Sequence, residues 1–401
     1  VKSIISRTDH IFIIIFAIVV ALPGYFFVSV NDDGQSVDSV FRFIVILVIL
    51  TLLLFRLLLI RRIAIPKLIV PIFIFVIFGL IVSIIKNPYI AYTPTGVRWF
   101  IYGTIVVLFY NIKESVYLLN KYFILTFVIY ALSALVDLLT GRSMNINSAM
   151  RVVGSVGSAP GLASAIYVTA VGCIFFNYNK LARTILIAFL AFVTILLTKT
   201  RFILIVFVVF VLIYLLTVSR TRRKSIGMFI VVTIFILAAF YIFRLSDLSH
   251  RFIFNSNELQ SDSSTIFRLL ILDTVWSQFR FVDIFTGLGL GDFSLWFEKM
   301  TGFVGVGPHF EILWLFTETG IVGMLLYFVG YYIFLVKSYQ RCVNNFDKRL
   351  FFLTFVLIVS MQTSLQFSNP TYFYQVMIPI FMTIGAFLNY TKKSQVNTIS
   401  G

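Results

Sequence analysis

Gly287–Gly323 reads GLGLGDFSLWFEKMTGFVGVGPHFEILWLFTETGIVG. It starts as a glycine-spaced loop and becomes an apolar helix at Pro308. Proline suits a first helical turn, because its missing N–H has no partner to lose there. His309 follows at once. In that place it meets the positive end of the helix dipole and unpaired backbone N–H groups, an anion site that disfavours a protonated imidazole. Glu311 and Glu318 come next, the second well inside an apolar run. The expectation is a chain built to hold this helix entrance at a membrane surface.

The composition around the stretch agrees. Of 401 residues, 60% are hydrophobic and 12% are charged, a balance no soluble domain has. The apolar runs are of helix length, and lipid admits only helices and closed barrels, so the fold class is an all-α polytopic membrane protein. Cys173, in an apolar run, and Cys342, in a basic loop, make no disulfide framework and read as a packing residue and a bystander. The first apolar run is as long as a bilayer requires and has no small-residue cleavage site. It is therefore read as a retained helix.

Working outward, twelve apolar spans run at about 11–30, 41–60, 68–85, 97–112, 122–139, 160–177, 182–198, 202–219, 226–243, 309–336, 350–368 and 371–390. Alternate connections are basic, among them Arg61/Arg62/Lys67, Arg220/Arg222/Arg223/Lys224 and Lys337/Arg341/Lys348/Arg349. The positive-inside rule makes these cytoplasmic, and both termini with them. The net charge of +16 then sets orientation and meets anionic lipid, and no nucleic-acid partner is expected. The organisation is helices 1–9 over residues 1–243, one large outer loop over 244–308, and helices 10–12 with a cytoplasmic tail over 309–401. Within the loop, Ser264 to Phe285 reads as an amphipathic helix on the interface, and 291–300 as a second, short one. The two halves show no internal repeat and no matching broken helices, which counts against a transporter built on inverted repeats.

Ionisable groups at the outer surface cost free energy unless they face a cavity or a partner, so they are the site candidates. Arg201 opens the eighth span in the turn TKTR, Arg268 lies on the amphipathic helix, and Arg151 sits in the Gly/Ser-rich loop 140–159. Several arginines converging with one histidine suit a diphosphate, which guanidinium groups grip bidentately. Arg98, Arg142, Arg244, Arg251 and Arg280 are read as snorkelling to water. His309, kept neutral by its surroundings, has the form a general base needs, and Glu311 is placed to orient it or a substrate hydroxyl. Glu318 is nine residues further on, roughly 13 Å deeper. It is expected to pair with a buried cation or to stay protonated. The sequence has no carboxylate cluster for Mg²⁺, no HExxH and no phosphate-binding GxxxxGK[ST], so neither a metal nor another cofactor is expected.

Four segments together resemble the O-antigen ligase and O-antigen polymerase superfamily, the Wzy and WaaL type. RVVGSVGSAPGLAS (Arg151–Ser164) is similar to its R-x-x-G-x-x-G-x-x-P-x-x-x-A loop. LLTKTRFILI (Leu196–Ile205) is similar to its L-T-x-S-R turn, with Thr200 in place of serine. SSTIFR (Ser263–Arg268) and GLGLGDF (Gly287–Phe293) resemble its periplasmic-loop arginine and glycine turn. HFEILWLFTETG (His309–Gly320) fits the ligase pattern His, three residues, Leu, six residues, Gly, but has Phe310 where ligases carry Asn, Ser or Gln.

The resemblance implies a GT-C-like fold of about twelve helices with one large periplasmic loop. It implies a metal-independent, inverting glycosyltransferase of the bacterial inner membrane, with its active site facing the periplasm. Arg201 and Arg268, with Arg151, would bind the undecaprenyl diphosphate leaving group, and His309 with Glu311 would serve the acceptor hydroxyl. The partners implied are undecaprenyl-diphosphate-linked oligosaccharides as donor and acceptor, membrane lipid, and a chain-length regulator of the Wzz type. Phe310 and the Ile/Phe/Asn-rich composition favour the polymerase. The alternatives are the ligase, which transfers the glycan to lipid A-core, and a lipid-linked sugar flippase. A flippase would carry charges along a central path, whereas here they gather at one face.

Overall fold

The computed structural model describes residues 7–22, 39–60, 62–86, 93–141, 143–146, 149–177, 181–218, 263–303, 311–344 and 374–399. Among them thirteen α-helices follow in the order α1 (Arg7–Ala21), α2 (Ser39–Leu58), α3 (Val70–Lys86), α4 (Thr93–Asn111), α5 (Ser115–Thr140), α6 (Ala159–Phe176), α7 (Leu181–Leu197), α8 (Arg201–Val218), α9 (Ser263–Gln278), α10 (Phe281–Thr286), α11 (Phe293–Thr301), α12 (Glu311–Asn344) and α13 (Tyr374–Ile399). Helices thus occupy ten of the twelve expected spans. The spans at 226–243 and 350–368 lie outside the described residues. Three helices are long and apolar enough to cross a membrane, at Ser115–Thr140, Ala159–Phe176 and Ile312–Gly330, and six more are shorter apolar helices.

The bundle is organised around α6. Its sequence, APGLASAIYVTAVGCIFF, is apolar or small on every side, and a helix of that kind belongs in the interior. It is buried almost along its whole length. Ser158 caps its first turn by accepting from Gly161 N, and Pro160 follows inside that turn. Cys173 is buried among these contacts, as a packing residue should be. A second interior region is aromatic. Trp99 stacks on Trp314 with centroids 6.1 Å apart and meets Phe75, Tyr102, Tyr327 and Phe381 edge-on. This joins α3, α4, α12 and α13.

Pairwise contacts fix the directions of the helices. Tyr102 of α4 stacks on Phe381 of α13, and Asn389 donates to the Ile112 and Tyr110 carbonyls, so α4 and α13 run parallel. Tyr167 meets Phe207, and the Tyr214 hydroxyl donates to the Ile174 carbonyl, so α6 and α8 also run parallel. Gly172 packs against Phe123 while Gly154 lies against Ser133, so α5 runs antiparallel to α6. Gly330 faces Pro71 while Tyr327 meets Phe75, so α12 runs antiparallel to α3. The starts of α4, α6, α8, α12 and α13 and the finishes of α3 and α5 therefore share one end of the bundle. The opposite end carries the Asp9–Arg56 ion pair between α1 and α2.

Three features depart from the sequence reading. The Gly/Ser-rich loop contains an antiparallel hairpin, β1 (Ser143–Ile146) with β2 (Ala149–Val152), in which Arg151 lies opposite Met144. Among the described residues the fold is all-α apart from this ribbon. The amphipathic stretch Ser264–Phe285 is two helices, α9 and α10, because Asp283 accepts from Arg280 N and starts a new helix there. The span 309–336, read as continuous, is broken at Gly320, whose backbone leaves the helix at φ 61°, ψ −170°.

Candidate active site

Gly287, Gly289 and Gly291 all take positive φ, at 71°, 115° and 88°, which only glycine adopts without strain. Their loop joins α10 to α11 and lies against the break in α12. A helix that stops leaves its last carbonyls without N–H partners. Here the loop supplies them: Leu288 N donates to Thr317 O at 2.9 Å and Gly289 N to Glu318 O at 2.8 Å. Gly291 N donates to the Glu318 side chain, Oε2, at 2.8 Å. Two glycines make the approach possible. A Cβ at Gly287 would overlap the Glu318 and Thr319 backbone, and one at Gly320 would overlap the Phe285 carbonyl.

Three acids hold this region. Glu318 and Asp292 are wholly buried, and Asp283 nearly so. Asp292 Oδ2 accepts from the Ser83 hydroxyl of α3 at 2.8 Å. Asp283 forms an ion pair with Lys86 at the finish of α3 and another with Arg280 at 3.0 Å, and Lys86 also donates to the Gly287 carbonyl. Burial pushes the Asp283 carboxyl up, but the hydrogen bonds from Lys86 and Arg280 outweigh it and hold it below its ordinary value. Behind the loop Ile271 and Val275 of α9 pack on Leu288, Phe293 and Phe297. The end of α3, the loop and the first half of α12 are thereby one unit.

A second irregular segment lies at the same end. After the hairpin, Gly154 (φ 52°) donates its N–H to Asp137 Oδ2 at 2.7 Å, and Ser155 N donates to Ser133 Oγ at 3.0 Å. Both acceptors stand on α5. Arg151 is half-buried on β2 directly before this turn.

The expected site residues are placed as follows. Arg201 is the first residue of α8, after a turn in which Lys199 takes φ 52° and the Thr198 hydroxyl donates to the Ile195 carbonyl at 2.6 Å, with Thr200 Oγ1 3.0 Å away. Glu311 is the first residue of α12 and Arg268 lies within α9. Arg151, Arg201 and Glu311 are thus brought to one end of the bundle, and α9 is tied to that end through the glycine loop. His309, with the helix start at Pro308, lies outside the described residues.

Among the described residues Glu318 pairs with no cation. Its bonded partner is the Gly291 amide, with Trp314 and the Phe293 amide beside it. Arg98 departs from the snorkelling reading, being half-buried with Nε enclosed and unbonded among the described residues. Sequence reasoning passed over Lys86, Ser83, Asp137 and Asp292. Asp137 had a usable signal, a lone acid inside the apolar run 122–139.

The O-antigen ligase family model matches residues 186–328. The match takes in Arg201, Arg268, the glycine loop, His309, Glu311 and the break in α12, while Arg151 falls before it. A comparison with curated proteins gives no match. Residues 186–328 are thus similar to the O-antigen ligase family, and with the apolar helices this supports a membrane-embedded protein of the O-antigen polymerase and ligase superfamily, the Wzy/WaaL type.

Proposed function

We propose that the chain is an O-antigen polymerase of the bacterial inner membrane, working at its periplasmic face. It transfers a growing glycan from undecaprenyl diphosphate to a sugar hydroxyl of another undecaprenyl-diphosphate-linked repeat unit. The observation that supports this most is the grouping of Arg151, Arg201 and the start of α12 at one end of a helical bundle, with the family domain running through two of the three.

The chemistry follows from the residue types. The acceptor oxygen attacks the anomeric carbon, the bond from that carbon to the diphosphate oxygen breaks, and the electron pair leaves with the diphosphate. Attack opposite the leaving group inverts the centre. Arg201, Arg268 and Arg151 neutralise the departing charge, as preorganised cations do for a developing anion. His309 takes the hydroxyl proton, with Glu311 orienting it. Purified protein is expected to transfer glycan in excess EDTA. Abolition by EDTA with recovery on Mg²⁺ or Mn²⁺ would remove the arginine mechanism.

The second reading is the ligase, favoured by the description of the matched family. Phe310, in a position where ligases carry Asn, Ser or Gln, favours the polymerase. The lipopolysaccharide ladder of a deletion strain separates them. Loss of a polymerase leaves core bearing one repeat unit, and loss of a ligase leaves bare core with long chains on undecaprenyl diphosphate. A chain-length regulator of the Wzz type is the protein partner this reading implies.

A further inference from the structure

We propose that Glu318 is a positioning residue for the transfer reaction, clamping the glycine loop onto the break in α12 and so fixing the half helix that begins at Glu311. The inference rests on the reading above, in which that half helix leads into the catalytic end.

The geometry singles out this residue. The break at Gly320 detaches Glu311–Thr319 from the rest of α12, so its direction is not set by helix continuity. Thr317 and Thr319 spend their hydroxyls on the Trp314 and Leu315 carbonyls of their own turn. Glu318 instead reaches the loop twice, its carbonyl accepting from Gly289 N and its carboxylate from Gly291 N. The loop is anchored in turn to α3, through Lys86 on the Gly287 carbonyl and Ser83 on Asp292. Glu318 therefore completes a chain of bonds from α3 to the half helix.

A buried carboxylate facing a second one, Asp292, costs free energy, and nothing in the packing of an apolar helix requires it. What it provides is an acceptor long enough to reach an amide that the helix carbonyls do not take. Glu318 lies seven residues beyond Glu311, roughly 10 Å along the helix. It acts through the helix and does not touch reacting atoms.

The test uses full-length protein in detergent, with hydrogen–deuterium exchange of peptides covering Gly287–Asp292 measured beside transfer kinetics. Glu318→Gln keeps the length and an acceptor oxygen. Glu318→Asp keeps the carboxyl group but loses the reach. Expected for Glu318→Asp is at least tenfold faster exchange in the loop and a fall of ten- to a hundredfold in kcat, with donor KM unchanged. Glu318→Gln is expected to retain most of the protection and most of the turnover.

Wild-type exchange and turnover in Glu318→Asp would overturn the clamp. Equal losses in both variants would also overturn it, because an acceptor of the right reach, which Glu318→Gln keeps, would then not be what matters. A loosened loop with normal kcat would leave the clamp purely structural and end the positioning role. His309→Ala with full turnover would instead overturn the catalytic reading, and the loop exchange of Glu318→Asp would still report on the clamp itself.

Discussion

The turn at Gly154–Ser155 and the loop at Gly287–Gly291 sit at the same end of the bundle, and each hangs on one buried acid of a neighbouring helix. Asp137 accepts from Gly154 N and Glu318 from Gly291 N. The host helices differ. α5 runs unbroken past Asp137 and closes at Gly141 with φ 67°, whose N–H takes the Asp137 carbonyl, and the turn bonds to the side chains of Asp137 and Ser133. α12 breaks two residues after Glu318, so it offers main-chain carbonyls as well. The turn rests on a finished helix, whereas the loop and the broken helix each complete the other. A lone acid in an apolar helix can therefore be a fixture for backbone before it is a reagent.

The largest expected effect breaks the mutual fit. At Gly287 and Gly320 an added Cβ meets backbone from the opposing segment, which cannot move aside as a side chain can. Ala at either position is expected to cost several kcal/mol, in the range reserved for overpacking and strain. Gly141→Ala is the control. Its φ is also positive, but nothing lies within 4 Å of the added Cβ, so it should cost only about 1–2 kcal/mol. Thermal unfolding in detergent compares the three, and equal losses would dissolve the distinction between fit and turn strain.

Next comes the chemistry expected where the broken helix begins. His309→Ala should insert and bind donor normally, and lose transfer by a factor on the order of 10²–10⁴. Turnover and donor binding are measured in one preparation. Near-normal turnover would take catalysis away from the α12 side. Joint loss of binding and turnover would make His309 part of the diphosphate grip.

The arginines sharpen the comparison from the other side. A planar fork matches two phosphate oxygens and an ammonium does not. Arg201→Lys and Arg268→Lys should each lose transfer by roughly ten- to a hundredfold, the weight of one to two charge-assisted bonds. Arg142→Lys should lose little. Similar mild losses at all three would mean general attraction of an anion and no defined site.

The helices were legible because apolar length is a local property, and ten spans coincide with helices. What escaped needed a partner far away in sequence. Gly320 closes the pattern at His309–Gly320, but nothing local says that it breaks the helix until Phe285 is known to press on it. Glu318 was read by its depth alone, and depth says that a buried acid must find a partner without saying that a backbone amide will serve. The hairpin at 143–152 escaped for a different reason, since four-residue strands in polar sequence carry no hydrophobic alternation. The place of Arg201 at a helix start was legible, because charge at the end of an apolar run is a strong local signal.

Asp137 tests whether the turn is the weaker partner of the pair. Asp137→Ala strands the Gly154 amide, which should cost about 1–3 kcal/mol, the price of an unmade buried bond. Asp137→Asn keeps an acceptor and should recover much of it. A loss as large as that of Gly320→Ala would show that the turn is as finely fitted as the loop.

The smallest effect concerns the charged anchor beside the glycine loop. Asp283 joins Lys86 and Arg280 there, and at the turn Asp137 accepts from the Gly154 amide. Its carboxyl is held below its ordinary value in the folded chain. A depressed carboxyl contributes stability above its unfolded pKa, near 3.9, and loses it as pH falls through the folded value. Arg280 is mostly exposed, so solvent screens part of the pairing, and the contribution should be under about 1 kcal/mol. Thermal unfolding of wild type and Asp283→Asn should therefore differ by a constant small amount above about pH 5 and converge below about pH 4. The comparison is clean because a protonated Asp283 and an asparagine both lack the charge that Lys86 and Arg280 require. A difference that persists undiminished to pH 3, or widens on acidification, would mean that Asp283 holds the loop through its hydrogen bonds alone.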